Sequence, residues 1–115
     1  MFGVKPRKAF IAICFAMVGV DQKIDERELD KLEEVLERSG FELSEIDKEI
    51  ESFNEMDITK IARYMGKCMA AITKLDDTMA DNLIQALTEI AKADDYFQDI
   101  EKNFVESVKC ILGKS

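Results

Sequence analysis

The chain has 115 residues, 47% hydrophobic and 35% charged, with no histidine and a net charge of −8. This length accommodates one domain, residues 1–115, with an ordinary folded composition; the missing imidazole excludes His-based nucleophilic catalysis and His-containing metal centres. Charge is uneven: Asp21 to Asp57 holds 15 acidic and 5 basic residues, a net of −10, and such a field repels phosphate backbones and leaves no nucleic acid among the expected partners.

One proline and five glycines leave little punctuation, and no stretch alternates apolar and polar residues as a half-buried strand would. Pro6 suits the first turn of a helix that runs from Arg7 to about Val20. The 12 residues from Ala9 to Val20 are apolar or small on nearly every side. They are too few to span a bilayer, and Asp-Gln-Lys follows them where a secretory cleavage site would need small residues. The first helix therefore reads as a central one surrounded by others, and the chain as cytoplasmic without a transmembrane segment.

A second helix is expected to begin at Asp25, with Glu28 completing a capping box, Leu29, Leu32, Val35 and Leu36 inward, and Gly40 just past its end. Ser44 with Asp47 offers the start of a third, with Leu43, Ile46, Ile50 and Phe53 as its stripe. Asp57 caps a fourth, whose inward residues are Ile58, Ile61, Ala62, Met65, Cys68, Met69 and Ile72. Gly66 within it suggests a close helix crossing. Asp76 or Asp77 opens a fifth helix through Ala93, with Met79, Leu83, Ala86, Leu87 and Ile90 inward. A sixth, from about Asp99 to Leu112, presents Ile100, Phe104, Val105, Val108 and Ile111. The expectation is an all-α compact bundle of about six short helices. Cys14, Cys68 and Cys110 sit in apolar contexts and read as buried free thiols of a reducing compartment.

Two of the helix corners repeat. Asp21-Gln-Lys-Ile-Asp-Glu-Arg-Glu28 returns 73 residues later as Asp94-Asp-Tyr-Phe-Gln-Asp-Ile-Glu101. In both, an Asp closes one helix, a Glu sits in the first turn of the next, and Ile24 or Phe97 occupies the middle. The bundle thus contains two pseudo-repeated helical hairpins. Local capping accounts for much of this chemistry, since negative charge is favourable at a helix start. If the hairpins pack with two-fold symmetry, however, Asp21, Glu28, Asp94 and Glu101 could share a divalent cation such as calcium or magnesium, which takes oxygen ligands. Neither corner has the EF-hand order.

The repeat resembles the TerB-like family, tellurite resistance protein TerB and related all-helical domains. These carry Ala-Asp-Gly, one residue, an apolar residue, three residues and Glu, commonly twice. Asp21, Ile24 and Glu28, then Asp94, Phe97 and Glu101, fall in that register, while Gln22 and Asp95 replace the glycines. The resemblance covers almost the whole chain. It implies a non-enzymatic module of tellurite or chemical-stress resistance, peripheral association with membrane-linked complexes, and an acidic metal site transferable to Asp21, Glu28, Asp94 and Glu101. Beside the reading that these corners hold a metal ion or a basic partner stands a metal-free one. It is a helical protein–protein interaction or self-association domain, with Met65, Met69 and Met79 along an adaptable apolar groove.

Overall fold

Pro6 opens the first helix, where its missing N–H removes a donor that the first turn would leave unpaired. The computed structural model describes residues 5–18, 26–93 and 99–114. Within them lie six α-helices and no strand: α1 (Pro6–Val18), α2 (Glu26–Arg38), α3 (Leu43–Asn54), α4 (Ile58–Ala71), α5 (Asp77–Ala91) and α6 (Asp99–Leu112). A short 3-10 turn, Ile72–Lys74, follows α4. The chain is all-α, as its periodicity predicts.

The apolar perimeter of α1 makes it the axis of the bundle. Ala9 through Cys14 are buried without a break, as are Met17 and Val18. No single-faced helix could achieve this, and α1 packs on α2, α3, α4 and α5. Withdrawing a side chain the size of Phe10, Ile11 or Ile13 from water stabilises the fold by roughly 1.5–3 kcal/mol each, before ordering entropy is subtracted. Among the described residues no helix is long and apolar enough to cross a membrane.

Helix ends follow local chemistry where that chemistry is unopposed. Asp57 accepts from the Lys60 N–H at 2.8 Å, and Asp76 from the Met79 N–H at 2.8 Å. These satisfy donors that α4 and α5 would otherwise orphan. Gly40, at φ +97°, ends α2. Its N–H reaches the Glu37 carbonyl while the Phe41 N–H reaches Leu36, the paired bonds of a Schellman motif. Phe41 and Leu36 are both buried, supplying the apolar contact that accompanies it. Gly113 (φ +71°) closes α6 in the same way, through Gly113 to Cys110 and Lys114 to Lys109.

The start of α3 differs from the sequence expectation. Ser44 lies inside the helix; Glu42 is its N-cap, without a side-chain cap bond. A long-range clamp fixes this segment instead. The Arg7 guanidinium donates to Gly40 O at 3.1 Å and to both oxygens of Glu45, at 3.1 and 2.9 Å, with its carbon 4.5 Å from the Phe41 ring centroid. That clamp fastens the start of α1 to the α2–α3 connection, and raises the Arg7 pKa while lowering that of Glu45.

Several inward assignments are rotated. Ile58 is 86% exposed and Leu43 49% exposed, and Ala62, Ile100 and Ile111 also face outward. Gly66 is exposed, with nothing within 4 Å of an added Cβ, so no helix crosses there. Cys14 and Cys68 are buried free thiols, but Cys110 is an exposed one. Met65, Met69 and Met79 are half-buried against the core.

The acidic corners as candidate functional site

Glu28 stands in the first turn of α2 and Glu101 in the first turn of α6. Both are only 1% exposed. A glutamate placed there merely to complement a helix dipole would remain in water, where the effect operates at little desolvation cost. These two do not. Each heads the inward face of its helix: Glu28, Leu32 and Val35 are buried at the spacing i, i+4, i+7, and so are Glu101, Val105 and Val108. The apolar stripes therefore begin on a carboxylate rather than on Leu29 or Ile100, and both carboxylates are engaged in polar interactions of the fold.

The helices leading into the corners are α1 and α5, and they pack on each other. α2 folds back on α1 and α6 on α5, giving the two expected hairpins. Their pseudo-symmetry is incomplete. α2 also lies along α5, whereas α6 packs on α5 and on the 3-10 turn after α4, with no comparable packing on α1. α1 instead packs on α3 and α4 as well as on α2 and α5. Asp21 and Asp94 lie outside the described residues, as do Ile24, Asp25 and Phe97. Among the described residues no group of three or more Asp, Glu or Cys is arranged to hold a metal ion.

One buried carboxylate escapes the sequence reading. Glu49 in α3 is 1% exposed and shares a face with Ile46 and Phe53. Its Oε2 accepts the Tyr64 hydroxyl of α4, and Oε1 has no hydrogen-bond partner among the described residues. Burial, then the bond to Glu49, pushes the Tyr64 pKa up. Burial, then the negative charge of Glu49, pushes the Cys68 thiol up to about 12. The available signal was the i, i+3, i+7 register of Ile46, Glu49 and Phe53, hidden in a stretch dense with surface acids.

A family model, Tellurite resistance protein TerB, matches residues 7–115. The chain belongs to the TerB family. No curated protein and no solved structure matches it significantly. The TerB match spans both hairpins, so the Asp–apolar–Glu register at residues 21–28 and 94–101 lies within the matched region. In this TerB-family chain the glutamate that closes each register, Glu28 or Glu101, is a buried residue at the head of an apolar stripe.

Proposed function

We propose that this chain is a non-enzymatic TerB-type binding module whose two acidic corners, Asp21 with Glu28 and Asp94 with Glu101, hold a divalent cation. The observation that supports this most is the burial of Glu28 and Glu101. Of the three charged residues buried among those described, two occupy the equivalent place in the two corners. A carboxylate taken out of water keeps its charge only where donors or a cation compensate it. An all-oxygen donor set suits calcium or magnesium, and the histidine-free composition leaves no imidazole to favour a softer metal. Glu28 and Glu101 would supply ligands from the first turns of α2 and α6, and Asp21 and Asp94 would complete the set. The bound ion would bridge the two hairpins.

A role in tellurite or chemical-stress resistance, in the cytoplasm and at the periphery of a membrane complex, belongs to the same proposal. So does recognition of a basic partner by the −10 segment. Isothermal titration with calcium, magnesium and zinc tests the metal reading against the Asp21→Asn/Asp94→Asn variant. Saturable binding that this variant loses supports it; equal binding by both proteins refutes it.

A second reading, a metal-free interaction or self-association domain, draws on the exposed Ile58 and Leu43. A partner seated on them would withdraw this apolar area from water. Sedimentation over a hundredfold concentration range, with Ile58→Glu as the control, distinguishes a self-associating chain from a monomer.

A further inference from the structure

The cations of this acidic chain are sorted by position. Among the described residues Arg7, Lys31, Arg38, Lys109 and Lys114 each hold a carboxylate. Among the described residues Lys5, Lys8 and Lys48 hold none, and neither do Lys60, Arg63 and Lys67. The first three line a hollow of about 570 Å³ whose wall also includes Ile11, Tyr64 and the Arg7–Glu45 pair. The other three line a second hollow of about 230 Å³ that shares Tyr64. Six cations without carboxylate partners therefore gather on one face of a chain with net charge −8.

Folding brings them together. α1 packs on both α3 and α4, which places Lys5 and Lys8 beside Lys48 and next to the cations of α4. The first turn of α1 holds no acid, so the positive end of its dipole adds to the same field. Lysine ammonium groups on flexible stems act as mobile point charges, suited to phosphate oxygens, while their methylenes cover apolar wall. The larger hollow falls within the roughly 300–1,000 Å³ range of small-molecule sites. Its concavity favours an entering molecule over a bilayer, which would be met better by a protruding apolar surface.

We propose that the hollow between α1, α3 and α4 binds a small organic phosphate. Its anionic groups meet Lys5, Lys8 and Lys48, and its carbon skeleton rests on Ile11 and Tyr64. This site uses none of the acidic-corner residues, so it stands or falls independently of cation binding.

The test is an NMR titration of the full chain with fructose 1,6-bisphosphate and with ATP at low ionic strength. Expected is saturable movement of amides around Lys5–Ile11, Glu45–Glu49 and Tyr64. Lys8→Gln/Lys48→Gln should weaken binding at least tenfold, the scale of losing charge-assisted bonds. Lys74→Gln, which removes a cation from neither hollow's lining, should leave it unchanged. No saturation by either compound up to about 10 mM, or equal weakening by Lys74→Gln, overturns the proposal. Binding confined to phosphatidylglycerol vesicles or to polyglutamate overturns it too, assigning the face to a membrane or to an acidic protein.

Discussion

Glu28 and Glu101 are equivalent residues of two helical hairpins, each in the first turn of its second helix and each 1% exposed. Charge at a helix start explains an acid there, but it does not explain its removal from water. Each carboxylate stands one turn before a buried aliphatic side chain, Leu32 or Val105, in the position that the stripe would otherwise assign to an apolar residue. These positions therefore belong to the buried face of α2 and α6 and not to the solvated helix surface.

Glu49 and Tyr64 allow a test of how the α3–α4 contact is held. Tyr64→Phe removes the donor to Glu49 Oε2 and leaves a buried carboxylate worse compensated. Urea unfolding should show a loss of about 1–3 kcal/mol. Adding Glu49→Met in that background should restore stability, because an apolar pair of similar volume avoids the desolvation cost. A double variant as unstable as the sum of the two singles contradicts this.

Two glycines should respond to alanine in opposite directions. Gly40→Ala forces a Cβ into a left-handed conformation at φ +97° and is expected to cost about 1–2 kcal/mol. Gly66→Ala adds a methyl in open space on the exposed side of α4, and should stabilise by up to about 1 kcal/mol through helix propensity. Thermal melts of the two variants provide the comparison; a destabilised Gly66→Ala would mean that a neighbour crosses there after all.

The thiols set a pH window. Cys68 is pushed up to about 12 and Cys14 is also raised, chiefly by burial, from an ordinary thiol value near 9.0. With the folded pKa above the unfolded one, the native state retains protons that the unfolded chain releases. Stability is therefore full below about pH 9 and falls as pH rises towards 12, with a slope approaching about 1.4 kcal/mol per pH unit for each such group. Cys68→Ala should flatten that alkaline slope. In the native protein at pH 8, a bulky disulfide reagent should titrate one thiol, Cys110, and all three only after denaturation.

How much of this was legible in the sequence depended on range. The Asp57 cap and the Gly40 turn are legible, and the structure chooses Asp76 over Asp77, because a cap or a left-handed turn is a matter of a few neighbouring residues. Ser44 was not the cap because Arg7, more than thirty residues away, clamps Gly40 and Glu45. The stripes of α2 and α6 are legible from Leu32 and Val105 onward, but their first members are not, because a carboxylate, Glu28 or Glu101, stands where the periodicity expects an apolar side chain. The basic face was invisible by segment. Lys5, Lys8 and Lys48 come to line one hollow only when α1 lies against α3 and α4, and the sum of charges along the chain points the other way.

Manganese, a paramagnetic stand-in for calcium or magnesium, reports directly whether the two corners hold one cation. Substoichiometric Mn²⁺ added to the isotopically labelled chain should broaden amides of residues 21–28 and 94–101 together. Calcium should reverse the broadening, and Glu28→Gln/Glu101→Gln should abolish it. Broadening spread over the acidic surface of α2 and α3 and unaffected by those substitutions would contradict the account.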